Sequence, residues 1–280
     1  MKFIFSAVVL SLFFAGCSEK LETPTKGKAV VYCDESVYPL VSVLADSFNT
    51  LYPDAEISVK RVTAREAIAR LVNGESEIAI AARGLNEEEE SAALANKIDY
   101  KTVKFVYDGI AVVAGFDFPN VISFDSLLAI IKGENSGYTA VLPGINSSVY
   151  EFLKYDVFEG QEIASAVLTD SDSAVIAAVL RERKSIGLVS WLNAVGETRL
   201  KKIEIGAREQ IRAENLYFQP HPGFFVQNLY PLTRLVSVYL AEINIGTASG
   251  FTTFLTSNIG QAKALEYRFG PAAVPVKIRE

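Results

Sequence analysis

Along the first part of the chain, short apolar runs alternate with longer segments whose apolar residues recur every three or four positions. The short runs predict strands, and the periodic segments predict amphipathic helices. Strands are predicted at 29–33, 57–62 and 78–82, and helices at 38–52 and 64–72. Strands and helices that alternate at this spacing form a parallel sheet with crossover helices.

A second unit of the same kind follows two extended runs, 101–106 and 110–114, which flank Asp108 and Gly109. Helices are predicted at 124–132, 147–158 and 173–183, and strands at 138–142, 166–169 and 186–189. An irregular aromatic region then leads to an extended run at 235–240 and helices at 250–256 and 261–267, which we expect to return to the first unit. The predicted fold class is therefore α/β, with two units that each contain a mainly parallel sheet.

The N-terminus has the pattern of an export signal. Lys2 precedes an uncharged, mostly apolar stretch at 3–15, which closes on Ala15, Gly16 and Cys17. This stretch is shorter than the roughly 20 residues that a membrane-spanning helix needs. We predict a signal peptide at 1–16, a lipid on Cys17 and a flexible spacer over 17–27, with ordinary secretion and an unmodified cysteine as the alternative. The expected location is the cell envelope, as a membrane-anchored lipoprotein that faces the periplasm or the cell surface.

Charge and cysteine content narrow the partners. The formal net charge is −6 at pH 7 and becomes −7 when Lys2 is removed with the leader. Nucleic acid and anionic membrane surfaces are therefore not expected as partners, and any anion site must be local. The second cysteine, Cys33, has no disulfide partner if Cys17 carries lipid, and its apolar strand predicts a small buried side chain.

Five segments, in their order and spacing, resemble the phosphate-type solute-binding proteins of ABC importers, which have the type II periplasmic-binding-protein fold. They lie at 34–39, 78–86, 146–148, 230–234 and 260–271. The resemblance implies two α/β lobes with a ligand cleft between them, lobe one being 28–107 plus 222–280 and lobe two 108–221. It also implies a monomeric receptor without a cofactor, which captures a small oxyanion, most readily phosphate, for an ABC transporter permease.

Hydroxyl side chains stand at three predicted junctions between a strand and a helix: Ser36, Thr63 and the pair Ser147 and Ser148. A helix N-terminus offers free N–H groups and a favourable dipole to an anion. The resemblance places these hydroxyls, together with the Val37 amide, against the ligand. The alternative interpretation is that they only cap helices, which Ser and Thr commonly do.

Which residue supplies the positive charge of an anion site is less directly indicated by the sequence. Arg83 ends a predicted strand at the carboxyl edge of the sheet, where open α/β folds bind ligands. Relatives with an arginine before the serine pair align it with Leu142 and Pro143 here, so we predict that Arg83 supplies the charge instead, with Arg65 as a weaker candidate.

A carboxylate that accepts a proton from the ligand would distinguish phosphate from the fully ionised sulfate. Asp34, Glu35 and Asp108 are the candidates for this role, and the sequence does not choose between them.

The sequence favours a binding protein over an enzyme. The one histidine, His221, lies between two prolines, and no Walker-type loop, HExxH or CxxC motif is present. The glutamates at 87–90 are expected to open a helix rather than to bind a metal, because they would point in different directions around it. No catalytic residue, metal site or cofactor is predicted, and an exported sensor, adhesin or scaffold with a degenerate site is the alternative function.

Overall fold

The computed structural model describes residues 22–134, 137–208 and 216–273. The predicted signal peptide and the lipidation site at Cys17 lie outside the described residues. Over the described ranges the predicted strands and helices are present, with most of their ends shifted by a few residues. The strands are β1 (Gly27–Asp34), β2 (Ala55–Val62), β3 (Ile78–Ala81), β4 (Lys101–Ala114), β5 (Val121–Ile122), β6 (Thr139–Pro143), β7 (Val167–Thr169), β8 (Ser185–Ser190), β9 (Lys201–Lys202), β10 (Glu204–Gly206), β11 (Tyr217–Phe218), β12 (Thr233–Leu240) and β13 (Gly270–Pro271).

The helices form where apolar residues recur at helical spacing behind a polar capping residue. Ser, Thr or Asn side chains accept a backbone N–H at the start of six of the described helices, which satisfies donors that a helix end otherwise leaves free. The helices are α1 (Tyr38–Leu51), α2 (Ala64–Val72), α3 (Glu87–Ala95), α4 (Phe124–Lys132), α5 (Ser148–Phe152), α6 (Asp172–Arg181), α7 (Trp191–Val195), α8 (Pro222–Val226), α9 (Thr247–Thr256) and α10 (Asn258–Glu266).

The main sheet has the strand order β2-β1-β3-β12-β4-β8-β6-β7. β1 pairs in parallel with β2 and β3, and β6 pairs in parallel with β7 and β8. Between these two parallel groups, β12 is antiparallel to β3 and β4, and β4 is antiparallel to β8. The mixed α/β class is therefore confirmed, and the two parallel groups belong to the two lobes.

Separate hydrophobic cores support the two lobes. One core joins α1, α9 and the strands around β1, with a smaller cluster between α2 and β3, and the other joins α4, α6 and the strands around β8. Strand β4 contributes Phe105 to the first core and Val112 to the second. Strand β4 therefore runs from one lobe into the other and links them covalently. The residue boundaries of the two lobes stay a prediction.

Two predicted elements differ from the structure. The runs at 101–106 and 110–114 form one continuous strand, because Asp108 and Gly109 pair in register with Arg234 and Thr233 of β12. The helix predicted over 147–158 is α-helical only as far as Phe152 and continues as a π-helical segment, Leu153–Val157. Single π-helical turns of this kind often occur near functional sites.

Candidate functional site

An ion pair lies at the point where β4 passes between the lobes. Asp108 of β4 and Arg234 of β12 stand directly opposite each other in the antiparallel ladder. The Arg234 Nη2 atom is 2.5 Å from Asp108 Oδ2, and the two side chains are fully buried. Arginine and aspartate are almost never buried unless they are paired, and a buried charge is costly to desolvate. Their presence here indicates a function beyond packing.

A chain of hydroxyls connects this ion pair to both lobes. Arg234 Nη1 donates a hydrogen bond of 2.9 Å to Ser148 Oγ, at the first residue of α5. Ser148 Oγ in turn donates to Ser36 Oγ at 3.4 Å, in the loop between β1 and α1. Ser36 and Ser148 are 2% and 1% exposed, so their hydroxyls face each other across a closed cleft. We call Ser36, Asp108, Ser148 and Arg234 the cleft cluster.

Two polar atoms of the cleft cluster have spare hydrogen-bonding capacity. Within the part of the chain that the structure describes, Arg234 Nε and Asp108 Oδ1 make no hydrogen bond to a protein group. Burial raises the pKa of the Asp108 carboxyl above its usual range, and the adjacent Arg234 guanidinium partly offsets this effect. Arg234 also lines a cavity of about 340 Å³ between the lobes, together with Arg83, Thr233 and Asp156.

Asp34 holds the Ser36 loop of the cleft cluster in place through two hydrogen bonds. Its Oδ1 accepts the Ser36 N–H at 2.9 Å, and its Oδ2 accepts the Ala82 N–H at 3.0 Å. Both carboxylate oxygens are therefore bonded to backbone groups of lobe one. Asp34 fixes the loop that carries Ser36 and ties it to the end of β3.

Arg83, the predicted source of positive charge, is held by carboxylates. Its Nη1 and Nη2 atoms each bond Glu89 at 2.7 Å, and its Nε lies 2.5 Å from Glu151 Oε2. The guanidinium also donates to the Gly84 carbonyl at 2.7 Å. Because Arg83 has two carboxylate partners and Arg234 has one, the geometry favours Arg234 over Arg83 as the group that attracts an anion. A role for Arg83 in ligand binding stays a prediction.

The other predicted hydroxyls and amides are helix caps. Thr63 accepts the Glu66 N–H at the start of α2, and Ser147 accepts the Tyr150 N–H at the start of α5. The Val37 N–H bonds the Asp34 carbonyl at 3.1 Å. Capping does not exclude a ligand contact, since a hydroxyl that accepts one bond still has a proton to donate.

The remaining candidates lie at the edge of the cleft. Arg65 is partly exposed and pairs with Glu88 and Glu151. Glu35 lies 3.7 Å from Arg61, and burial followed by the charges of Asp34 and Asp172 raises its pKa. Neither side chain joins the cleft cluster.

Arg234 is the candidate site residue that was not predicted from the sequence, although segment 230–234 carried part of the family resemblance. Its signal was a charged residue next to the apolar run of β12, which predicts burial. The predicted burial of Cys33 is confirmed, and its thiol is free. His221 accepts the Gly223 N–H at the start of α8.

Over residues 22–134, 137–208 and 216–273, no helix has the length and hydrophobicity to cross a membrane. The same ranges contain no group of three or more His, Cys, Asp or Glu side chains arranged to hold a metal ion.

Comparisons with known proteins agree with this architecture. A curated relative, the phosphate-binding protein PstS of Staphylococcus aureus, is 24% identical over 255 residues, which cover 85% of this chain and 76% of the relative. A putative phosphate ABC transporter substrate-binding protein from Clostridium perfringens, solved with bound phosphate, superposes with a TM-score of 0.72 at 19% identity. An ABC-type phosphate transport receptor from Vibrio cholerae superposes with a TM-score of 0.70, also at 19% identity. Both alignments cover 88% of this chain and 100% of the solved chain.

The profile of the PBP superfamily domain matches residues 18–258, which is most of the sequence. The resemblance identified in the sequence is therefore confirmed, and so is the two-lobed fold that it implies. The chain belongs to the PBP superfamily.

Proposed function

We propose that this protein is a solute-binding protein that captures a small oxyanion, inorganic phosphate first among them, between its lobes and delivers it to an ABC importer. The observation that carries the proposal is the cleft cluster, in which Ser36 of one lobe and Ser148 of the other meet beside the buried Arg234. A guanidinium and hydroxyls are the donors that replace the hydration shell of an oxyanion. An anion that enters here would replace the contact between the two serines.

Two proteins that are similar to this chain support phosphate as the ligand. The Staphylococcus aureus relative is named a phosphate-binding protein, and the Clostridium perfringens structure contains phosphate. The acidic net charge of this chain does not oppose anion binding, because the positive charge of Arg234 is buried and acts locally.

Asp108 is the carboxylate best suited to accept a proton from the ligand. Its Oδ1 makes no hydrogen bond within the described residues, whereas both oxygens of Asp34 are bonded to backbone amides. A carboxylate beside the anion would repel sulfate, which has no proton to donate at neutral pH. The protonated oxygen of monohydrogen phosphate can donate a hydrogen bond to the Asp108 carboxylate instead, so the site would prefer phosphate.

The export signal extends this proposal to the cell envelope. A lipid on Cys17 and the spacer over 17–27 would hold a monomeric receptor at the membrane and raise its effective concentration near a permease. Export and lipidation are supported by the sequence of residues 1–17 alone.

Calorimetric titration tests the proposed ligand. The chain from Ser18 onward, which contains every residue that the structure describes, is titrated with phosphate and separately with sulfate. We expect saturable binding of one phosphate per chain and weaker binding of sulfate. Absence of binding at millimolar phosphate would refute the proposal and favour a sensor, adhesin or scaffold of the same fold.

A further inference from the structure

Beyond the proposed anion site, the structure points to a second connection across the cleft. Glu151 lies in the first turn of α5, three residues after Ser148, and is 1% exposed. Its Oε2 lies 2.5 Å from Arg83 Nε, and its Oε1 lies 3.2 Å from Arg65 Nη1. Both arginines belong to lobe one and Glu151 belongs to lobe two. One carboxylate therefore binds two guanidinium groups of the opposite lobe.

Neighbouring contacts reinforce this connection. The Arg65 N–H donates to the Asn146 carbonyl at 3.4 Å, which joins the start of α2 to the loop before α5. Glu89 binds Arg83 with both oxygens and orients it toward Glu151. Each arginine has a partner within lobe one, Glu89 for Arg83 and Glu88 for Arg65, so Glu151 is the partner that each gains from the other lobe.

We propose that Glu151 is a positioning residue that latches the two lobes together through Arg83 and Arg65 and thereby sets the ligand affinity. The latch consists of protein groups only, so it favours the closed arrangement whether or not an anion is bound. When the lobes close, the latch draws the start of α5 toward lobe one, which places the Ser148 hydroxyl beside Ser36 and Arg234.

Charge explains why an anion is not expected to compete for these arginines. Arg65 and Arg83 face three carboxylates, Glu88, Glu89 and Glu151. The adjoining cavity of about 600 Å³ is lined by further acidic side chains, those of Glu87, Glu90 and Glu159. In this region three carboxylates face two guanidinium groups, whereas in the cleft cluster one carboxylate faces one guanidinium. The latch and the anion site are thus separate parts of one closing surface.

Closing by a latch has a measurable consequence for affinity. The apparent dissociation constant is the intrinsic constant divided by the fraction of protein in the binding-competent state. Loss of the latch lowers that fraction, because opening of the lobes no longer breaks two ion pairs. Since coupling between sites commonly changes affinity by about 5-fold or more, we expect a change of at least that size.

The test compares Glu151→Gln with Glu88→Gln. Glu88→Gln is the matched control, since Glu88 pairs with Arg65 inside lobe one and does not bridge the cleft. The glutamine at 151 leaves Arg83 paired with Glu89, so no buried charge is stranded and folding is expected to persist. Small-angle X-ray scattering without ligand measures lobe closure, and stopped-flow binding of inorganic phosphate measures the rate constants.

We expect the Glu151→Gln protein to have a larger radius of gyration without ligand than the wild type. Its phosphate Kd should rise at least fivefold, mainly through faster dissociation, while Glu88→Gln leaves both quantities unchanged. Unchanged scattering for Glu151→Gln, or an equal shift for Glu88→Gln, would overturn the latch. This inference rests on the proposed capture of an anion for its kinetic part only, because the scattering result stands even if wild-type protein binds no phosphate.

Discussion

Replacement of Arg234 by methionine should separate the structural role of this residue from its role in binding. Arg234 and Asp108 are buried to 2% and 0% exposure, and their ion pair is 2.5 Å long. The Arg234→Met substitution keeps an unbranched side chain of similar length but leaves the Asp108 carboxylate buried without its partner. Loss of one member of a buried ion pair costs about 3–5 kcal/mol of unfolding free energy.

A second substitution should restore most of this loss. Asp108→Asn in the Arg234→Met background removes the stranded charge, and replacement of a whole buried pair by neutral groups is often nearly neutral. We expect the double variant to be more stable than Arg234→Met by about 2 kcal/mol or more, a coupling within the usual range for residues in contact. Neither variant should bind phosphate, since neither has the buried positive charge.

Urea denaturation followed by circular dichroism measures these stabilities, and calorimetry measures binding. Arg199→Met is the control, because the Arg199 side chain is 66% exposed, so loss of its ion pair with Glu197 should cost less than about 1 kcal/mol. If Arg234→Met is no more destabilising than Arg199→Met, the pair is not the buried interaction described above. If the double variant binds phosphate as the wild type does, Arg234 is not the anion-binding group.

Three further predictions concern single positions. Asp108→Asn should narrow the difference in affinity between phosphate and sulfate in calorimetry, because the amide no longer repels an unprotonated anion; an unchanged difference would place the selectivity elsewhere. Gly109→Ala should lower the unfolding free energy by about 1–3 kcal/mol, because the new methyl group would overlap the buried Phe225 ring, whereas Gly115→Ala, with no atom within 4 Å, should be nearly neutral. Equal stabilities of the two alanine variants in urea would contradict this packing. Burial, with a smaller contribution from the Asp34 charge, raises the pKa of the Cys33 thiol well above its usual range, so in the chain from Ser18 onward Ellman's reagent at pH 8 should label no thiol in folded protein and one in urea; rapid labelling of the folded protein would contradict the burial.

Local patterns were sufficient to predict the elements of the fold. A helix such as α1 buries Leu40, Leu44 and Phe48 on one face, and this spacing is visible in the sequence itself. The caps at Thr63 and Ser147 were also predictable, because the start of a helix has a local signature. In both cases the residues that determine the local structure lie within a few positions of each other in the chain.

Long-range pairing could not be predicted from the sequence in the same way. Arg234 and Asp108 are 126 residues apart in the chain, and only the register between β12 and β4 makes them neighbours. Two separate extended runs were predicted on either side of Asp108 and Gly109 because that register was unknown. Arg83 was favoured as the charged ligand group because it ends a strand at the cleft, but the carboxylate of Glu151 that faces it comes from the other lobe. The sequence thus identified residues that lie at the cleft. It did not show which of them form ion pairs with each other, and those ion pairs decide which arginine is available to an anion.

A crystal structure grown with phosphate would test the central proposal most directly. The predicted result is a tetrahedral anion within hydrogen-bonding distance of Ser36 Oγ, Ser148 Oγ and the Arg234 guanidinium, with Asp108 Oδ1 facing one of its oxygens. An anion bound to Arg83 and Arg65 in place of Glu151, or a closed cleft without an anion at saturating phosphate, would contradict it.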